Sequence, residues 1–165
     1  MKSISKIIKE ELLKEVGGYD DPVIMAKHSG KTLTSLIEVL ASMLESIKGL
    51  AQLILSDKFD RVTGKDLLTN LSDIINEGIR VTNILIKDFT EDDVIFESKK
   101  FIKKMNEFKR KIRLLSNLGP DYTQQQYNDE ILNLISNLEP TIMGYGSMLN
   151  KVNNRFMDRF QSWGN

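Results

Sequence analysis

The stretch from Leu33 to Ile54 reads LTSLIEVLASMLESIKGLAQLI, and its large apolar residues recur at alternating steps of three and four. Because an α-helix has about 3.6 residues per turn, this spacing places them along one side of a helix. The set comprises Leu33, Leu36, Leu40, Met43, Ile47, Leu50 and Ile54. Such a seven-residue repeat predicts a long amphipathic helix that packs its apolar side against other helices.

The helix that carries this repeat is predicted to run from Pro22 to about Ser56. Asp21 can cap its first amides, and proline is favoured at the first helical position. A break near Ser29 and Gly30 is the alternative, because glycine weakens a helix interior by about 1 kcal/mol relative to alanine.

The chain before this helix is expected to form a shorter amphipathic helix over Ser3–Val16, where Ile4, Ile8, Leu12 and Val16 are four residues apart. Gly17 and Gly18 end it, since glycine accepts the left-handed backbone common at helix ends. We therefore expect residues 1–18 to be an N-terminal helix that acts as an arm, and residues 19–165 to be the helical bundle domain.

Two further helices are predicted after residue 60, each with a capping signal at its start. Thr63 and Asp66 have this spacing before the first, and Thr90 and Asp93 have it before the second. The apolar side of the first would consist of Leu67, Leu71, Ile74, Gly78, Val81 and Leu85. The apolar side of the second would consist of Val94, Phe101, Met105, Phe108, Ile112 and Leu115.

The last part of the chain is predicted to hold two more helices. Thr123 and Gln126 cap the first, which closes at Glu139 and Pro140. The second carries Ile142, Tyr145, Leu149, Val152, Phe156 and Trp163 on its apolar side. The sequence thus predicts an all-α fold: an elongated bundle of about five to six amphipathic helices with heptad, coiled-coil-like packing.

Composition excludes several classes of function. The 165 residues include 23 basic and 23 acidic side chains, so no overall charge draws the molecule to a polyanion. The absence of cysteine excludes disulfides and thiolate metal sites. No apolar run approaches the roughly 20 residues that span a bilayer, and the first residues lack the apolar core of a signal peptide. We expect a protein of the cytoplasm, or of a particle assembled there.

No motif in the chain predicts an enzyme or a cofactor. The segment His28–Thr32, HSGKT, ends like a phosphate-binding loop, but that loop requires a glycine where Met25 stands and a preceding strand. His28 is the one histidine and has no partner at metal-ligand spacing, so it is interpreted as a surface residue. The adjacent acidic pairs, such as Asp92 with Asp93, are interpreted as charges of a first helical turn rather than catalytic pairs.

Two sets of residues are candidates for binding. A basic run in the helix after Asp93 could contact nucleic acid or another polyanion, or could be a solvated outer face. It comprises Lys99, Lys100, Lys103, Lys104, Lys109, Arg110, Lys111 and Arg113. A cluster near the C-terminus has more large apolar residues than one buried side of a helix accommodates. Aromatic residues are enriched in protein–protein interfaces. The cluster comprises Phe156, Met157, Phe160 and Trp163.

The stretch from Glu38 to Asp88 resembles the dimerisation helices of sensor histidine kinases in SIKGLAQLI, residues 46–54, and ILIKDF, residues 84–89. The resemblance covers under a third of the chain and implies a helical hairpin that dimerises. Glu38 stands about where that family has its phospho-accepting histidine, so the phosphotransfer chemistry is absent.

The function that we predict from the sequence is non-catalytic: a structural, assembly or adaptor protein that associates with proteins, itself included. The first alternative is a nucleic-acid or polyanion binder that uses helix 99–113. The second is a regulator related to phosphotransfer helical hairpins.

Overall fold

The computed structural model describes the backbone of residues 22–164 and the side chains of residues 30–155. That part of the chain forms four α-helices: α1 Pro22–Leu55, α2 Arg61–Asp88, α3 Asp92–Ser116 and α4 Gln124–Gly164. The predicted all-α fold is confirmed. The predicted helix Ser3–Val16, and with it the arm assigned to residues 1–18, lies outside the described residues.

The four helices form a ring in which α1 packs on α2, α2 on α3, α3 on α4, and α4 on α1. Their directions alternate. The Thr32 hydroxyl at the start of α1 donates to Asp88 at the end of α2 over 3.3 Å. Ser98 near the start of α3 meets Tyr145 in the second half of α4. The connections at residues 56–60 and 117–123 therefore lie at one end of the bundle, which we call the loop end.

The heptad repeat of α1 is buried as the sequence predicts. Leu33, Leu36 and Met43 are fully buried, and no other member of the set is more than 7% exposed. Since α1 packs on both α2 and α4, its apolar side is covered from within the same chain. The repeat by itself therefore leaves no surface that a partner must cover.

The predicted apolar side of α2 is wrong by one residue at two positions. Leu68 and Ile75 are fully buried, whereas Leu67 and Ile74 are only partly buried. The buried residues nevertheless follow a strict heptad repeat. They are Gly64, Leu68, Leu71, Ile75, Gly78, Thr82 and Leu85, with Val81 beside them. Two glycines and a threonine hide this repeat from a count of large apolar residues.

The predicted helix break at Glu139 and Pro140 is wrong, because α4 continues through Pro140 as one helix of 41 residues. Proline removes one helical hydrogen bond and costs about 3 kcal/mol in a helix interior. Leu138 and Ile142, on either side of it, are both fully buried. We infer that this packing offsets the local cost. The break considered near Gly30 is likewise absent, since α1 is continuous there.

The helix caps explain where two of the helices begin. The cap of α2 is Asp60, whose carboxylate accepts from the Thr63 amide over 2.7 Å, so the predicted Thr63–Asp66 signal is wrong. The predicted cap of the last described helix is confirmed. The Thr123 hydroxyl accepts from the Gln126 amide, and the Gln126 side chain accepts from the Thr123 amide. The Thr90–Asp93 signal is not used: the residue before α3 is Glu91, which makes no side-chain cap bond.

A polar contact between two side chains lies inside the core. The Ser98 and Tyr145 hydroxyls are 2.7 Å apart, Ser98 is fully buried, and the Tyr145 ring stacks on Phe101 with centroids 4.1 Å apart. Burial raises the pKa of Tyr145 to about 12, although the hydrogen bonds to Ser98 and Thr82 act to lower it. The contact gives both buried hydroxyls a hydrogen-bond partner and links α3 to α4.

Candidate interaction surfaces

The described residues contain no cluster that could bind a metal: nowhere do three or more histidine, cysteine or acidic side chains come together. Residues His28–Thr32 lie inside α1, so the turn that a phosphate-binding loop requires is not formed there. The structure does not describe the side chain of His28. The remaining candidate sites of the described region are on the outer surfaces of the bundle.

The outer face of α3 carries the basic run that the sequence singles out. Seven of its members are exposed: Lys99, Lys100, Lys103, Lys104, Arg110, Lys111 and Arg113. None of the seven forms an ion pair with any described residue. Residues 99–113 contain eight basic side chains, counting the partly exposed Lys109, and one acidic side chain, so their formal charge is 8 − 1 = +7. We call these seven exposed cations the basic face.

The aromatic residues of α3 lie mostly on its other side. Phe101 and Phe108 are 3% and 5% exposed and belong to the core, as the sequence predicts. Phe96 is exposed but precedes the first cation of the basic face. The Lys111 ammonium lies 5.6 Å from the Phe108 ring centroid, which anchors one cation by a cation–π contact. The basic face is thus a surface of charges with no row of rings among them.

A second surface, absent from the sequence predictions, lies at the loop end. Four of the six exposed large apolar side chains of the described region are there: Leu55, Val62, Leu114 and Tyr122. Leu114 is 64% exposed, although its neighbour Leu115 is buried in the core. An apolar residue at a position outside the heptad repeat is the sequence signal that could have identified this surface.

A groove of about 520 Å³ opens at the loop end between the last turns of α3 and the first half of α4. Its floor and end are apolar, and its rim is polar. The apolar lining consists of Leu114, Leu115, Leu118, Tyr122 and Leu134. The polar rim includes Lys111 on the α3 side and Glu130, Asn133 and Asn137 on the α4 side. We call this the loop-end groove; concave apolar sites with a few polar groups are typical of binding sites.

The loop-end groove continues onto α2 through a second cavity of about 310 Å³, which shares Leu115 and Leu118 with it and reaches Val62. Arg61 connects the start of α2 to the 117–123 loop and to α4. Its guanidinium donates to the Gly119 carbonyl over 3.2 Å and lies 5.7 Å from the Tyr127 ring centroid. The loop that borders the groove is therefore tied to the start of α2.

The C-terminal candidates Phe156, Met157, Phe160 and Trp163 lie in the last turns of α4, and their side chains are outside the described side chains. They are at the end of the bundle opposite the loop end. The structure thus brings the basic face together on one helix and leaves the aromatic candidates untested.

The hairpin implied by the resemblance to histidine kinase helices is present, because α1 and α2 pack together in opposite directions. Glu38 is exposed on α1. No described helix is apolar over a length sufficient to span a bilayer. Comparisons of the chain with protein-family models, with curated proteins and with solved structures give no match.

Proposed function

We propose that this chain is a non-catalytic helical-bundle protein that acts by association with other proteins, including further copies of itself. The observation that supports this proposal best is the loop-end groove, with Leu114 and Tyr122 exposed beside it. Contiguous exposed apolar surface is costly in water, and in folded proteins it is a frequent mark of a docking surface. A structural, assembly or adaptor role is the class of function that such a surface serves.

The association that we propose does not use the heptad repeats. Those of α1, α2 and α3 are buried within the bundle, so an additional helix could not pack on them without unfolding the chain. The loop end, with its exposed apolar side chains, is available instead. We propose that the coiled-coil-like contacts are confined to the inside of the bundle, and that Ser3–Val16, as a fifth helix, packs on the bundle or on another copy.

The C-terminal aromatic cluster is a second proposed contact, at the opposite end of α4. Tyr122 and Phe156 are separated by 34 residues, which corresponds to about 50 Å of helix at 1.5 Å per residue. Contact between unlike ends would generate open chains or rings, whereas contact between like ends would generate closed dimers. The mass distribution in solution therefore distinguishes the two arrangements.

The test is sedimentation analysis of the full chain over a range of concentrations. We expect the average mass to rise above the 18.9 kDa of one chain. The double variant Leu114→Ser with Tyr122→Ser should shift this rise to at least tenfold higher concentration, because burying two large apolar side chains contributes about 3 kcal/mol or more. Truncation before Arg155 tests the C-terminal cluster in the same way, with helical content followed by circular dichroism.

The matched control is Phe96→Ser with Met143→Ser, which removes two exposed apolar side chains away from the loop end. Its average mass should rise over the same concentration range as that of the unaltered chain. An unaltered chain that stays at 18.9 kDa at every soluble concentration would reject self-association. Equal loss of mass in both double variants would reject the loop end as the specific surface.

A further inference from the structure

The basic face of α3 has an ordered arrangement that the overall composition conceals. Its cations form three dibasic steps, at residues 99–100, 103–104 and 110–111. At about 100° per residue, the first members of these steps align with one another, and the second members form a parallel row beside them. From Lys99 to Arg113 the face extends for about 21 Å along the helix.

The two rows occupy different parts of the convex surface of α3. Lys100 and Lys104 border a cavity shared with Pro140 and Gly144, and Lys111 borders the loop-end groove, so this row faces α4. Lys99, Lys103 and Arg110 then lie on the crest that points away from the bundle. Arg113 lies on the flank toward α2 by the same helical spacing. The cations thus form two rows, on the crest of the helix and on its α4 flank, with Arg113 as the single cation of the basic face on the α2 flank.

Part of this arrangement is unfavourable for the isolated bundle, although Glu107 lies three or four residues from Lys103, Lys104, Arg110 and Lys111. Lys99 with Lys103, and Lys100 with Lys104, are like charges four residues apart, each pair destabilising a helix by about 0.2–0.5 kcal/mol. No described acidic residue pairs with them. Folding and solubility do not require this concentration of like charge, whereas a polyanion would stabilise it.

The shape of the surface favours one class of polyanion. A convex helix with cations on its crest and both flanks matches a groove with phosphates along both walls, and the B-DNA major groove, about 12 Å wide, admits an α-helix. Single-stranded nucleic acid is bound by rows of stacking aromatic rings, but Phe101 and Phe108 are buried. Membrane-surface helices insert an apolar side, but that side of α3 is covered by the bundle.

We propose that the basic face of α3 binds the phosphate backbone of double-stranded DNA, with the helix lying along the major groove. Most of the cations are lysines, which act as point charges, and only Arg110 and Arg113 present the planar fork that reads guanine. Binding is therefore largely independent of DNA sequence and is driven by release of counterions. This activity is distinct from the protein association proposed above, because among the cations of the basic face only Lys111 also borders the loop-end groove.

The experiment is fluorescence anisotropy of a labelled, mixed-sequence DNA duplex titrated with the full chain at about 50 and about 200 mM salt. The test variant carries Lys103→Ser, Lys104→Ser, Arg110→Ser and Lys111→Ser. The control carries Lys31→Ser, Lys48→Ser, Lys65→Ser and Lys87→Ser, four exposed lysines of α1 and α2, so both variants have the same net charge. Circular dichroism verifies that each variant is folded.

We expect the unaltered chain to bind the duplex and to lose affinity steeply between the two salt concentrations. The test variant should bind at least tenfold more weakly and lose about three to four units of the salt slope, since each phosphate contact contributes about 0.9. The affinity of the control for the duplex should stay within about threefold of that of the unaltered chain, because phosphate contacts are local. No binding at low salt, or equal weakening in both variants, would overturn the proposal.

Two further probes test the class of ligand. A single strand of the same length and vesicles of phosphatidylserine present the same sign of charge without a phosphate-walled groove. Both should bind at least tenfold more weakly than the duplex. Affinity for either that equals or exceeds the affinity for the duplex would overturn the assignment to double-stranded DNA.

Discussion

The neighbouring helices α2 and α3 are alike inside the bundle and differ on its outside. Both bury a strict heptad repeat in which small or polar residues replace some large ones, such as Gly64 and Gly78 in α2 and Ser98 in α3. Outside, α2 carries four basic and four acidic residues, whereas α3 carries eight basic and four acidic residues. The same packing is therefore compatible with either charge pattern.

The outer face of α2 shows what folding alone requires of an exposed helix surface. Its charges are mixed, and Arg80 donates to Glu77 three residues earlier over 2.9 Å. The pair lowers the pKa of Glu77, chiefly through this hydrogen bond. A balanced surface of this kind keeps a helix soluble and adds small favourable pairs. The excess of positive charge on α3 is therefore an addition to the fold, which is why we assign it a binding role.

The largest expected change in stability is found by comparing a buried and an exposed residue at adjacent positions of α3. Met105→Asp should destabilise the protein by more than about 3 kcal/mol, since Met105 is fully buried and the substitution combines a cavity with an unpaired charge. Lys104→Asp, on the exposed side, should change stability by less than about 0.5 kcal/mol. Urea denaturation measures both. Similar losses for the two would mean that the α3 register is wrong.

The next effect concerns close packing on α2. A Cβ atom added at Gly64 would lie 2.6 Å from Cζ of Phe59 and 2.8 Å from the Tyr127 hydroxyl. Gly64→Ala should therefore cost about 1–3 kcal/mol despite the better helix propensity of alanine. Gly49→Ala in α1, where nothing lies within 4 Å, should instead stabilise by up to about 1 kcal/mol. The two changes should move the thermal midpoint in opposite directions; a gain at Gly64 would contradict the aromatic packing at the loop end.

A third effect probes the polar contact between α3 and α4. Tyr145→Phe leaves the buried Ser98 hydroxyl without its partner and should cost about 1–3 kcal/mol. Adding Ser98→Ala should recover part of that loss, because both polar groups are then removed. A double-mutant cycle in urea measures the coupling free energy, and purely additive losses would show that the contact contributes nothing to stability.

The same residue predicts a pH dependence. Because the pKa of Tyr145 is raised from 10.0 to about 12 in the folded chain, the unfolded chain loses this proton at lower pH than the folded chain. The stabilisation is complete below pH 10 and is lost as pH rises toward 12. Tyr145→Phe should flatten the decline of stability over this range, measured by urea unfolding at several pH values. An unchanged decline would indicate that Tyr127, whose pKa burial also raises, accounts for it.

The smallest expected effect separates the outer faces directly. Lys99→Glu replaces a like-charge pair with Lys103 by a favourable one, and should stabilise α3 by about 0.2–0.5 kcal/mol at low salt. Glu77→Gln in α2 removes a favourable pair and should lower the thermal midpoint slightly. High salt should diminish both shifts. Destabilisation by Lys99→Glu would contradict the unfavourable charge pattern that we infer for α3.

Much of the fold is predictable from the sequence because large apolar residues recur at helical spacing. This spacing predicts the repeat of α1 and the six large buried residues of α3, but not the buried Ser98. The repeat of α2 was placed one residue off in part, since Gly64 and Thr82 occupy buried positions that a search for large side chains passes over. The loop-end groove was not predicted, because it depends on how Leu114 and Tyr122 come together with the start of α4.

The sequence by itself determined the helical class, the start of α4 at the Thr123–Gln126 cap and the membership of the basic face, all of which depend on residues close together in the chain. Only the tertiary structure decided that α4 passes through Pro140 and that the α1–α3 repeats are covered by the chain itself. The physical reason is that the helix propensity of a single residue changes the free energy of folding by at most about 3 kcal/mol. The free energy gained by burying Leu138 and Ile142 against neighbouring helices can exceed the cost of a proline inside α4. The sequence around Pro140 does not indicate which helices those neighbours are.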